Sequence, residues 1–262
     1  MNTIDEDMAF FRRDGAFLIP QPMARGPWGQ QSINGRAIVG LLGYELERLF
    51  SGAGYLPARL TVDMHRLPGF DPIEIVPTVI RDGKRIKVIE ADLISGGQKA
   101  ARASCQILLK TENASGDVWS PPNWDAPRPQ DVALTTQPGA TGFITWETRY
   151  IEGHIGAIGA KRIWIRELRS IVDAEPLTPF SRVAASADFA SPFSNGGTEG
   201  LGYINTDVTL YLHRAPVGEY VGYEVVNHHA TDGIATGMCF VYDETGPIGT
   251  SSVAALAQKM KI

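Results

Sequence analysis

The chain has 262 residues, enough for one large domain or two of ordinary size. Hydrophobic residues make up 44% of it and charged residues 20%, which excludes a disordered chain and supplies a proper core. A net charge of -5 and a pI of about 5.6 argue against nucleic-acid binding, which needs a concentrated basic surface, though a local basic patch still suffices for an anionic ligand.

Met1 to Arg13 is acidic and lacks the apolar core of a signal peptide, and no apolar run approaches a membrane span. A non-membrane, cytoplasmic protein is expected. The first element is a helix over Ile33 to Phe50, with Ser32 or Asn34 able to cap its free N–H groups. Its run Ala37 to Tyr44 is apolar nearly all round, so this helix should be buried. Gly40 and Gly43 cost roughly 1 kcal/mol each against Ala, which implies a close approach to a curved sheet. Charge returns at Glu45, Glu47 and Arg48, where the helix should emerge.

A β-rich run, Leu60 to Pro68, follows and ends in His65-Arg66-Leu67-Pro68. Further runs are Ile73 to Ile80, Arg85 to Leu93 and Ala101 to Leu109. Asp82-Gly83 marks a hairpin because Gly accepts positive φ, and Gly96-Gly97 marks the next turn. Successive close turns make this an antiparallel meander. Thr111 to Gly142 is rich in Pro, Gly, Asn and Asp and reads as a surface linker.

The pattern then recurs. A shorter helix over Pro179 to Phe189 precedes a Gly-rich loop, Ser194 to Gly202. The runs Val208 to Pro216 (with His213-Arg214-Ala215-Pro216), Tyr220 to Val226, Ile234 to Tyr242 and Thr250 to Ala257 follow in the same order. His213 lies 148 residues after His65, and Gly246 lies 149 after Gly97. The expectation is an α+β protein of two tandem units: an N-terminal unit over 1–110, a linker over 111–142 and a C-terminal unit over 143–262. Cys105 and Cys239 each sit in an apolar run and read as small buried hydrophobes, which suits a reducing compartment.

Several segments, in this order, resemble a known family. Gly26-Pro27-Trp28-Gly29-Gln30-Gln31-Ser32-Ile33-Asn34-Gly35-Arg36 resembles the first helix entrance of hotdog thioesterases. Ala58 to Asp63 and Val79 to Arg85 resemble their first meander, Ala187-Asp188-Phe189 their second helix, and Ile204 to Val208 and Arg214 to Val221 their second meander. The match spans about Phe17 to Leu256. The chain thus resembles the double-hotdog (type II) acyl-CoA thioesterases. The resemblance implies a tandem double hotdog, two antiparallel curved sheets each wrapped around a central helix, acting on an acyl-CoA or another acyl thioester, with no cofactor and as a homo-oligomer.

In that family an Asp on the second helix, a strand hydroxyl and a Gln on the last strand hold the attacking water. Asp188 matches the Asp. The hydroxyl position falls near His228-His229-Ala230-Thr231, which offers Thr231 or a substituting His. The Gln position falls at Val253-Ala254, where there is no Gln; Gln258 stands four or five residues further on. Asp188 beside Ala187 and Phe189 reads as a partly desolvated general base, or else as a helix-end carboxylate in water. Asn34-Gly35 at a buried helix start reads as an oxyanion site, or else as an ordinary N-cap. His228-His229 is the only His pair, and at most one of two adjacent strand residues faces a given cleft. Two histidines without a third ligand make a poor metal signal. Trp28 either lines an acyl pocket or packs in the core. Two other readings stay open: a hotdog hydratase or dehydratase using Asp188 with His228 or His229, and a non-catalytic binder of acyl thioesters.

Overall fold

A computed structural model describes residues 9–29, 31–122, 124–135 and 146–258. Met1 to Met8, Gln30, Asn123, the end of the expected linker with the start of the C-terminal unit (136–145), and 259–262 lie outside the described residues.

In the first half a hairpin of β1 (Phe11–Asp14) and β2 (Phe17–Pro20) precedes α1 (Gly35–Phe50). The meander follows as β3 (Tyr55–Met64), β4 (Ile73–Asp82), β5 (Ile86–Ser95) and β6 (Gln98–Leu109). The second half opens with β7 (Trp146–Glu152) and β8 (Arg162–Glu167), then α2 (Pro179–Ala187) and α3 (Ala190–Asn195). A small hairpin, β9 (Gly196–Gly197) and β10 (Gly200–Leu201), leads to β11 (Tyr203–Asn205) and β12 (Asp207–Leu212). The chain closes with β13 (Tyr220–Thr231), β14 (Ile234–Asp243) and β15 (Gly246–Ala257).

Thirteen strands form one sheet in the order β1-β2-β4-β5-β6-β3-β12-β15-β14-β13-β8-β7, with β11 also paired to β15. The two expected curved sheets are therefore fused, through antiparallel pairing of β3 with β12. Thr61 sits opposite Thr209, its equivalent one repeat later, and the two hydroxyls are 3.1 Å apart. The repeat also holds bond by bond. His65 N–H donates to the Ala100 carbonyl and His213 N–H to that of Ile248 (213 − 65 and 248 − 100 both equal 148). The hairpins β1–β2 and β7–β8, short and mixed in polarity, extend each half beyond the four runs read from sequence.

Helix α1 is buried from Arg36 through Leu46, as its all-round apolar run requires. Two details differ from expectation. Glu45 does not emerge: it is buried, and Arg13 (2.6 Å) and Arg48 (2.7 Å) neutralise it. The glycines of α1 serve mainly a helix pair. A Cβ on Gly40 would lie 2.8 Å from Ile171 and 3.1 Å from Ala185 of α2; one on Gly43 would lie 2.8 Å from Ala184 and 3.1 Å from the sheet residue Leu60. The small residues of both helices let them cross in close contact beneath the sheet.

The turns also separate two uses of glycine. Asp82-Gly83 does form a turn, but Gly83 lacks positive φ; its want of a Cβ admits the Ile86 carbonyl, which a Cβ would approach to 2.9 Å. In the second half Asp232 (φ 53) and Gly233 (φ 79) both have positive φ, the signature of a tight hairpin between β13 and β14. Cys105 and Cys239 are buried and unbridged. The described linker is pinned: Trp124 packs on Trp164 (4.9 Å) and Tyr242 (4.3 Å), over a glycine at 222.

Candidate active site

Asn34 caps α1 by accepting from Arg36 N–H at 3.1 Å, while its carbonyl accepts from Ala37 and Ile38. Gly35 follows as the first helical residue. Against it lies Asp188, in the short link between α2 and α3; a Cβ on Gly35 would be 2.7 Å from Asp188 Oδ2. The close crossing of α1 and α2 thus delivers a carboxylate from one half to the helix start of the other. Asn205, at the end of β11, donates to Asp188 Oδ1 at 2.9 Å and to the Asp207 carbonyl at 3.1 Å.

These groups sit in a cavity of about 510 Å³ whose walls include Trp28, Trp146 and Phe189, with Arg66 and Gln258 also on its lining. Trp146 meets Phe189 edge-on at 5.3 Å. The volume suits a ligand of acyl-group size, and the mix of apolar wall with few polar groups is that of a binding cleft. Burial raises the Asp188 carboxyl above the usual carboxylate range, opposed by the Asn205 hydrogen bond and by the charge of Arg36.

The cavity therefore gathers four of the residues picked from sequence: Trp28, Asn34, Gly35 and Asp188. The other three lie elsewhere. His229 and Thr231 are exposed on the outer end of β13, where Thr231 closes the hairpin opposite Ile234. His228 lines a second cavity of about 430 Å³, with Nδ1 2.9 Å from Asn195 Oδ1. The sequence register could not foresee this, because β13 runs on past the end of β8 at Arg162 and carries these residues away from α2. At the expected Gln position Val253 is buried and Ala254 exposed, while Gln258 reaches the cavity from beyond β15.

Sequence reasoning missed Asn205, Arg36 and Trp146 as site residues. Asn205 lay inside a matched segment and carried a signal, being an amide just before an apolar strand. Arg36 was legible as a cation at the mouth of an otherwise apolar helix. Trp146 offered no cue, since it comes from the far edge of the sheet.

An apolar cavity that ends on a carboxylate and a helix start, inside a double hotdog, is the build of an acyl-thioester hydrolase. Family models agree: the acyl-CoA thioesterase N-terminal domain matches residues 24–107 and the C-terminal domain residues 120–256. The chain belongs to the acyl-CoA thioesterase family and is an acyl-CoA thioesterase-like enzyme. No curated protein sequence matches it. Among solved structures it resembles a hot dog fold protein from Alicyclobacillus acidocaldarius (TM-score 0.75, 16% identity, 99% of this chain and 100% of that one). It also resembles the tesB protein of Mycobacterium avium subs paratuberculosis (0.71, 16%, 95% and 96%). Acyl-CoA thioesterase II TesB2 from Mycobacterium marinum is a third (0.66, 16%, 99% and 99%). At these identities the likeness concerns the fold. Among the described residues no helix is long and apolar enough to cross a membrane, and no cluster of metal-binding side chains occurs.

Proposed function

We propose that Asp188 acts as the general base of this enzyme, drawing a proton from the water that attacks an acyl-CoA carbonyl. The carrying observation is the contact of its carboxylate with the Gly35 helix start, in one cavity with an apolar wall. A base needs a pKa near the working pH, and burial moves Asp188 in that direction. Asn205 holds one carboxylate oxygen, leaving the other for water. With Arg36, Ala37 and Ile38 N–H groups bonded to Asn34, the Gly35 N–H is the first-turn donor left for the developing oxyanion, helped by the positive helix end. Trp28, Trp146 and Phe189 would receive the acyl chain. Gln258 offers an amide at the cavity where Val253-Ala254 offers none.

This reading leaves His228, His229 and Thr231 out of the chemistry. The hydratase alternative needs a histidine beside Asp188, and the placement of His228 in the other cavity favours hydrolysis. The same reading takes 1–110 and 143–262 as the two hotdog units, supported by the repeated hydrogen bonds, and a cytoplasmic homo-oligomer, supported for location by the two unbridged cysteines. The test is a panel of acyl-CoAs with thiol release followed for the wild type, Asn205→Ala and His228→Ala. Hydrolysis slowed in Asn205→Ala and intact in His228→Ala is expected. The reverse pattern would move the chemistry to the second cavity, and loss of enoyl absorbance without thiol release would make the enzyme a hydratase.

A further inference from the structure

Helix α3 is a wall shared by two cavities. Ser191 and Pro192 line the active one, whereas Ser194 and Asn195 line the second, of about 430 Å³. No residue lines both. The second cavity takes no part in the proposed chemistry, yet it holds two polar groups that the protein leaves incomplete. Lys161, just before β8, is buried on its wall and donates from Nζ to the carbonyls of Gly196 (2.7 Å), Phe193 (3.2 Å) and Ile155 (3.2 Å). Those bonds use all three N–H donors but bring no opposite charge. Among the described residues no carboxylate pairs with the ammonium, and Glu199, the one carboxylate on the lining, is exposed at the β9–β10 turn. A buried charge without a counter-charge is costly. Asn195 is the second such group. It is 5% exposed, its Oδ1 accepts from His228 Nδ1 at 2.9 Å, and its Nδ2 is buried with no hydrogen-bond partner. The rim is bare backbone. Gly197 and Gly202 lack positive φ, and a Cβ on either would meet nothing within 4 Å, so neither the turn nor packing requires glycine there. Glycine in such a place lets a ligand approach the backbone closely. Val225 and the exposed Ile158 give the cavity an apolar side.

We propose that this second cavity binds a carboxylate with a short apolar tail, which supplies the counter-charge that Lys161 lacks and an acceptor for Asn195, while its tail lies on Ile158 and Val225. The wall selects for an anion. Its nearby carbonyls are already bound by Lys161, so a positive charge and an amide donor are what remain. His228 holds the Asn195 amide in place from β13, and Tyr203, edge-on to His228 at 5.7 Å, closes the site from β11. A carboxylate with an apolar tail is also the class of molecule that hydrolysis of an acyl-CoA releases. The site does not depend on Asp188 being the base.

The experiment follows the His228 Hε1 resonance, assigned by its loss in His228→Ala, while sodium hexanoate is titrated into the enzyme at one pH. Hexanol and sodium chloride serve as controls for the tail and for ionic strength. Hexanoate should shift the resonance to saturation, and neither control should. Asn195→Asp, which keeps the shape of the side chain but repels an anion, and Lys161→Gln, which removes the charge, should each weaken hexanoate by about 10-fold or more. Asp188→Asn, in the other cavity, should leave the titration as in the wild type. A resonance that hexanoate does not move, an equal shift from hexanol or sodium chloride, full affinity in Asn195→Asp or Lys161→Gln, or a shift abolished by Asp188→Asn overturns the proposal. The contrast between hexanoate and its controls needs no variant, so it decides the matter if neither Asn195→Asp nor Lys161→Gln folds.

Discussion

Gly35→Ala separates the catalytic role of the helix start from its role in folding. The added Cβ would lie 2.7 Å from Asp188 Oδ2 and 3.2 Å from both Cγ and Oδ1. Carbon and oxygen do not approach so closely without repulsion, so the carboxylate must retreat by about half an ångström. It is held on its other side by Asn205 at 2.9 Å, and a charge-assisted hydrogen bond of this kind contributes about 1.5–3 kcal/mol. Replacing Gly by Ala restricts the unfolded chain and recovers about 0.4–1 kcal/mol, since Gly35 lacks positive φ. The net loss of stability is therefore expected to stay under about 2.5 kcal/mol. Catalysis is less forgiving. A shift of 1 Å in a reacting group costs on the order of 100-fold, so kcat should fall by about 10- to 100-fold. The assay is thiol release from the best acyl-CoA of a panel, paired with denaturant unfolding. A variant with wild-type kcat would refute the proposed contact between base and helix start. One that unfolds outright would show Gly35 to be structural.

Asp243 should be a stability residue. Its side chain is buried and accepts from Arg214 Nη2 (2.8 Å), Val217 N–H (2.7 Å) and Thr245 N–H (2.8 Å). Asp243→Asn should cost about 2–3 kcal/mol in urea unfolding, below the roughly 3–5 of a fully buried pair because Arg214 is half-exposed; an unchanged midpoint would contradict this. Those partners hold the Asp243 carboxyl below its usual range, so its stabilisation is present above about pH 3.9 and is lost as pH falls through the lower folded value. Asp188 behaves in the opposite sense: its raised pKa places the acid limb of kcat/KM above the ordinary Asp range, and a limb at or below that range would count against it as the base. Gly233→Ala, at φ 79, should destabilise the β13–β14 hairpin by about 1–2 kcal/mol, read as a lower midpoint in urea unfolding; an unchanged midpoint would contradict this.

Much of the fold was legible because the chain states it twice. Gly97 and Gly246 mark equivalent turns, and the His-Arg-x-Pro endings of both runs fix the register within a residue. The structure gives those arginines different tasks: Arg214 secures the β14–β15 turn through Asp243, whereas Arg66 bonds Gln98 and faces the cavity. Residues at the start of α1 and the end of α2 share one cavity, since a buried helix start and a helix-end carboxylate have few positions open to them. The strand candidates lie outside that cavity. His228 and Thr231 lie on a strand that bulges between Val225 and Asn227 and outruns its neighbour, and neither event leaves a mark in hydrophobic alternation. Trp146 and Asn205 join Asp188 only through long-range pairing, which a local pattern does not encode.

The assignment of Asp188 is tested most directly by the kcat of Asp188→Asn, an isosteric change that keeps the contacts and removes the basicity. With the fold verified by its unfolding midpoint, kcat for the best acyl-CoA should fall by about 100- to 10,000-fold while KM stays within a few-fold. A variant that hydrolyses the same substrate at the wild-type rate would contradict the account.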